Sequence, residues 1–205
     1  AYTFEVDLTA FNAGENFTVS DGKLAVSNSG ESKLMMGMDV QAPYAVDLSL
    51  SAVNDGALNT GVYLYASNAA DGVDQIKAYN VQVERASGSD IYKISVYKFN
   101  SGYLGAVNLG TTDYIKVAHP EDGQIDLHIY AGTEQIAIFS EGSAQPVLVV
   151  DVDKSFIGQT QGDVGIRSYY SSATYDNLTV TVDVPEDVPS FLQTFEDTQG
   201  MALYS

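Results

Sequence analysis

Hydrophobic and polar residues alternate with a period of two along most of the chain, in short runs broken by Gly, Asn, Asp and Ser. In Pro43–Val53, Val46, Leu48 and Leu50 share a face. In Tyr79–Arg85, Val81 and Val83 oppose Asn80, Gln82 and Glu84, and in Ile91–Phe99, Ile94 and Val96 oppose Lys93, Ser95 and Tyr97. Gln124–Tyr130 sets Ile125, Leu127 and Ile129 against Asp126, His128 and Tyr130. Such runs are half-buried antiparallel strands, because successive side chains of a strand point to opposite faces. In Gly61–Ala66 the same rule puts Val62 and Leu64 inside and Tyr63 and Tyr65 outside. Asp21-Gly22, between Phe17 and Val26, predicts a tight hairpin, since both residue types accept the positive φ of such a turn. Further strands are predicted in Ala1–Leu8, Lys33–Met38, Ala106–Val117, Glu134–Ser140 and Pro146–Val152. Roughly a dozen short strands with no amphipathic helix give an all-β chain, a two-sheet antiparallel sandwich of jelly-roll type.

The stretch Gly162–Val182 holds two alternating runs around a small polar break. Val164, Ile166 and Ser168 share one face of the first, and Gly165, Arg167 and Tyr169 the other. In the second, Leu178, Val180 and Val182 oppose Asn177, Thr179 and Thr181. An arginine and two tyrosines, Tyr169 and Tyr170, thus turn away from the core in a chain of few cations.

Composition narrows the partners. Nine Lys and Arg against 27 Asp and Glu leave a formal charge of −18. That field repels phosphate backbones and anionic lipid surfaces, so nucleic acid and membranes are not expected partners. With no cysteine there is no disulfide frame and no thiolate metal site. No apolar run reaches the roughly 20 residues of a membrane-spanning helix. The acidity and the Tyr, Thr, Ser, Asn and Gly content lean towards a secreted or cell-surface bacterial protein. Residues 1–184 read as one β-sandwich domain. Pro185–Pro189 reads as an acidic linker, and 190–205 as the start of a second module or a returning terminal strand.

The succession Phe4-Glu5, Phe17-Thr-Val-Ser-Asp-Gly-Lys-Leu24, Gly162-Asp-Val-Gly-Ile-Arg167 and Ala173-Thr-Tyr-Asp-Asn-Leu-Thr-Val180 resembles the concanavalin A-like lectin/glucanase superfamily. Within it, the laminin-G-like and fructan-binding modules attached to secreted bacterial glycosidases are most similar. The resemblance spans residues 1 to about 183 and implies a non-catalytic module that binds a polysaccharide or oligosaccharide and keeps attached domains of its polypeptide near it. The chain departs from many such modules in lacking tryptophan. A structural or adhesin-like sandwich that binds no sugar is the alternative, and a glycoside hydrolase built on a Glu84–Asp126 couple the third reading.

Sugar rings are bound by aromatic faces and by planar charged groups that take neighbouring hydroxyls. The candidate ligand-binding residues are Arg167, Tyr169, Tyr170, Glu84, Asp126, His128 and Tyr130, with Glu84 or Asp126 expected to hold the Arg167 guanidinium. Glucanases of the superfamily carry paired glutamates in a pattern like Glu-Ile-Asp-x-Glu. The nearest match, Gln124-Ile-Asp-Leu-His128, has neither. The two histidines, His119 and His128, signal no metal or serine triad by spacing. The superfamily resemblance further implies a structural Ca²⁺, for which Glu5 or Asp7 with Asp176 is one oxygen set; Asp71 with Asp74, and Asp151 with Asp153, are others.

Overall fold

In a computed structural model, residues 2–7, 16–27, 30–67, 75–157 and 160–184 are described. The Asp71–Asp74 loop and the 185–205 segment lie outside them. The described residues form β1 (Tyr2–Glu5), β2 (Phe17–Ser20), β3 (Lys23–Val26), β4 (Glu31–Met35), β5 (Val40–Gln41), β6 (Tyr44–Ala52), β7 (Leu58–Ser67) and β8 (Lys77–Arg85). They continue as β9 (Ile91–Phe99), β10 (Ala106–Thr111), β11 (Ile115–Lys116), β12 (Ile125–Ala131), β13 (Gln135–Ser140), β14 (Leu148–Asp151), β15 (Gln161–Tyr169) and β16 (Ala173–Val182). One helical turn, Lys154–Ile157, precedes β15.

The strands make two antiparallel sheets. The first runs β14-β13-β12-β6-β16-β3-β2, with β1 also on β16. The second runs β10-β9-β8-β7-β15-β4, with β11 on β9 and β5 on β15. The expected two-sheet antiparallel sandwich is therefore present. The two runs of Gly162–Val182 fall in different sheets: β15 lies between β7 and β4, and β16 between β6 and β3. The corner between them, where Tyr170 has φ 46°, ties the two layers together.

Between the layers lies one apolar core. Val46, Leu48, Leu50, Leu127, Ile129, Ile138 and Val180 of the first sheet pack with Val62, Leu64, Val81, Val83, Ile94, Val96, Val164 and Ile166 of the second. These are the alternating positions legible in the sequence. The Asp21-Gly22 turn forms as expected, with φ 51° and 74°, between β2 and β3.

Tyr65 departs from the sequence expectation. The register shifts between Leu64 and Ser67, and Tyr65 takes φ 53°, so this bulge turns its ring inward to the core. There it stacks edge-on between Tyr44 (5.6 Å) and Tyr79 (5.7 Å). Its hydroxyl donates to the Gly132 carbonyl at 2.7 Å, and its own amide donates to the Tyr44 hydroxyl at 3.0 Å. Burial pushes the Tyr44 and Tyr65 phenols further above their ordinary value.

Candidate functional site

The outer face of the second sheet carries a polar network centred on Arg167. The side chain leaves the core, as its position in β15 dictates, yet only 3 % of the residue is exposed. Its Nε donates to Glu31 Oε1 at 2.9 Å. Nη1 donates to Asn59 Oδ1 on β7 (3.3 Å) and, across that strand, to Gln82 Oε1 on β8 (3.2 Å). The strand between them makes room through Gly61, which pairs with Arg167 on one side and Gln82 on the other. A Cβ at Gly61 would stand 1.7 Å from the Val81 carbonyl oxygen, so only glycine fits there. The guanidinium lies 5.2 Å from the Phe99 ring centroid and 5.3 Å from that of Tyr169, a cation held over two aromatic faces.

The network continues along β8. Asn80 Nδ2 donates to Gln82 Oε1 at 3.1 Å, and Gln82 Nε2 donates to Glu84 Oε1 at 2.9 Å. Glu84 is the solvent end of this relay: its side chain is 29 % exposed, with Lys93 Nζ 3.6 Å from Oε2. Asn80, Gln82 and Glu84 alternate along β8 and so share this outer face. Two of the three are amides, which cannot ionise.

Around the network the face divides in two. A groove of about 550 Å³ opens beside Asn59, Glu84, Ile91, Lys93 and Tyr114, within the size range of small-ligand sites. Tyr114 is 69 % exposed at its rim. At the other side Tyr103, Tyr169 and Tyr170 form an aromatic ledge, with centroids 6.1 Å apart for Tyr103–Tyr169 and 4.8 Å for Tyr169–Tyr170. Tyr170 is 61 % exposed. A carboxylate, an ammonium and amides thus sit between phenol rings, the mixture that can take sugar hydroxyls and cover the apolar side of a ring.

The sequence-predicted residues do not share one site. Arg167, Tyr169, Tyr170 and Glu84 lie on this face. Asp126, His128 and Tyr130 project from β12 in the first sheet, on the opposite outer face of the sandwich. Asp126 therefore does not hold Arg167, and a Glu84–Asp126 couple is ruled out by the same placement. The carboxylate on Arg167 is Glu31, which sequence reasoning missed, and Glu84 reaches the guanidinium only through Gln82. Asn59, Asn80, Gln82, Tyr103 and Tyr114 also join the site unannounced. Only the outward parity of Asn80 and Gln82 was a legible signal.

The opposite face has its own polar groups. His128 Nδ1 lies 2.7 Å from Asp47 Oδ1, and this hydrogen bond raises the imidazole pKa against the opposing effect of burial. Asp126 accepts from Ser49 Oγ (2.7 Å) and Gln124 Nε2 (2.9 Å), with His119 Nε2 at 3.3 Å. Tyr130 is buried against Ala137 and Phe139, packed with Val149 and Val184. An open cleft of about 390 Å³ runs past Asp47, Asp126 and His128, but its polar groups are bonded to one another.

Glu5, Asp7 and Asp176 line one cleft of about 260 Å³ with Asn177 and Gly22, so the first and last strands do bring them together. Among the described residues, however, no three His, Cys, Asp or Glu converge closely enough to hold a metal ion.

No family model matches the sequence, and no curated protein matches it. Solved structures do. A carbohydrate-binding module, CBM66, from Bacillus subtilis superposes with TM-score 0.62 at 13 % identity, over 81 % of this chain and 91 % of that one. A protein of unknown function with a galectin-like fold from the same organism gives TM-score 0.60 at 13 % identity, over 82 % and 86 %. A Bacillus licheniformis β-glucanase gives 0.55 at 9 % identity, over 89 % and 92 %. At such identities the likeness is one of fold, the concanavalin A-like jelly-roll sandwich.

Proposed function

We propose that the chain is a non-catalytic carbohydrate-binding module whose site is the outer face of the second sheet. A glycan chain lies along the groove beside Glu84, Asn59, Lys93 and Tyr114, and a sugar ring stacks on Tyr169 and Tyr170. The observation that carries this reading is the relay Glu31–Arg167–Gln82–Glu84. It fixes a row of planar polar groups before any ligand arrives, which lowers the ordering cost of binding. Arg167 acts as its clamp and not as a hand exposed to sugar. The fold shared with a carbohydrate-binding module supports the choice of ligand class, and fructan is the first glycan to try. In this reading the module belongs to a secreted bacterial polypeptide and holds an attached enzyme near its polymer by raising effective concentration.

Absence of hydrolysis follows in this proposal from β8. Glycoside hydrolysis asks for two carboxyl groups flanking the scissile bond, and Glu84 has amides, Gln82 and Asn80, at the neighbouring positions. The test is affinity electrophoresis against levan, inulin, xylan and β-glucan. At least one polymer should retard the wild type, Glu84→Ala and Tyr169→Ala should each weaken retardation, and no reducing sugar should be released. Equal mobility of wild type and both variants in every gel would overturn the reading.

A further inference from the structure

Three side chains around Arg167 are at least nine-tenths buried and carry polar atoms with no well-formed hydrogen bond. They are Glu31 Oε2, Asn80 Oδ1 and the Tyr63 hydroxyl, the last lying within reach of the Arg167 guanidinium, whose charge and hydrogen-bonding act on it. All three belong to the outer face of the second sheet: Glu31 opens β4, Tyr63 and Asn80 pair across β7 and β8, and Arg167 lies in β15 between β4 and β7. Leaving such atoms unpaired costs about 1–3 kcal/mol each, more for a charged group, so their gathering in one place asks for a reason. Their polarity is uniform where it is fixed. A carboxylate oxygen and an amide oxygen can only accept, and a phenol can accept as well as donate. The charge is already balanced, since Arg167 neutralises Glu31 at 2.9 Å.

One turn lies against this face. Between β9 and β10, Gly102 N donates to the Ile76 carbonyl (2.9 Å), and the Tyr103 ring then packs on Tyr169, which itself lies over the guanidinium. The adjoining Leu104 is 73 % exposed.

We infer that Glu31, Asn80 and Tyr63 form the inner subsite of the proposed glycan site, reading hydroxyl donors of an uncharged sugar once the Tyr103 ring swings off Tyr169. The inference rests on the carbohydrate-binding reading and goes further by naming the specificity residues and the ligand's charge class. A sugar hydroxyl satisfies Glu31 Oε2 and Asn80 Oδ1 without upsetting the Arg167–Glu31 balance. A uronate or sulfate brings acceptors to acceptors and is refused by a chain of charge −18. An ammonium adds a positive charge beside Arg167 and is refused too.

The test is calorimetric titration of the wild type, Glu31→Gln and Tyr103→Ala with three oligosaccharide sets: neutral fructo- and gluco-oligosaccharides, oligogalacturonate, and chitosan oligomers. The wild type should bind a neutral set at least about tenfold more tightly than either charged set. Glu31→Gln replaces an acceptor by a donor while keeping shape; because it also leaves the Arg167 charge uncompensated, affinity is read at a temperature where circular dichroism shows the variant folded, and should there fall about tenfold or more for that sugar. Tyr103→Ala sits on an exposed turn and gives a folded variant in any event. It should speed association in stopped flow by about tenfold, as expected when an opening step limits entry. Neutral-sugar binding unchanged in Glu31→Gln, an unchanged association rate in Tyr103→Ala, or equal binding of uronate would each overturn this inference while leaving the module reading intact. A wild type that binds none of the sets sinks both.

Discussion

Arg167 shows how strongly a single position can depend on burial. The guanidinium and the Glu31 carboxylate have side-chain exposures of only 4 % and 6 %, so each is the other's principal compensation for lost hydration. Removing one partner of such a pair leaves an uncompensated buried charge and typically costs 3–5 kcal/mol. Arg167→Ala is therefore expected to lose about 3–5 kcal/mol, read as a lower urea midpoint at unchanged slope. Replacing both partners by Met and Leu should recover most of that loss, because no orphan charge remains. At Gly61 the constraint is steric. A methyl group driven against the Val81 carbonyl should cost about 3 kcal/mol or more in Gly61→Ala, by the same denaturation measurement.

At the scale of elements, β6 and β12 are joined across the outer face of the first sheet by Asp47 and His128. The His128 pKa is raised in the folded protein above its ordinary value of about 6.5. Its contribution to stability is thus fully present below that value and fades as pH rises through the folded pKa. Wild type minus His128→Gln should accordingly show a larger stability gap near pH 5.5 than near pH 8.5. The change should stay under about 1 kcal/mol, because both side chains are nearly half exposed. Where β1 meets β16, Glu5, Asp7 and Asp176 line one cleft, although among the described residues no three such groups converge closely enough to hold a metal ion. A Ca²⁺ ion present at a hundredfold excess over its dissociation constant would add about 2.7 kcal/mol. Any rise in melting temperature with Ca²⁺ over EDTA that comes from this cleft should be lost in Asp176→Asn. The elements also mark how far the sequence could be read. Inside–outside parity in β6, β8, β9 and β12 was legible, since period-two burial is local. Tyr65 was not, because the bulge that reverses it is decided by pairing with β8. Glu31 was beyond reach too: it meets Arg167 from 136 residues away, and nothing local announces such a contact. Parity tells which residues turn outward but not which of two sheets they turn out from. That is why Asp126 and His128 looked like companions of Glu84 and Arg167 and lie on the opposite face.

For the molecule as a whole, two outer faces compete for function. One carries a pre-set polar row between exposed tyrosines, backed by buried acceptors. The other carries carboxylates, hydroxyls and imidazoles already bonded to one another. The fold is shared with proteins whose names include a carbohydrate-binding module and a β-glucanase, so the choice between faces rests on these residues and not on the sandwich. The measurement that decides most directly is mapping of amide chemical-shift changes by NMR as a bound neutral oligosaccharide is titrated in. The account predicts changes concentrated at Asn59, Gln82, Glu84, Lys93, Tyr103 and Tyr169, with Asp47, Asp126 and His128 silent. Shifts centred on Asp47, Asp126 and His128, with the Arg167 face unmoved, would contradict it.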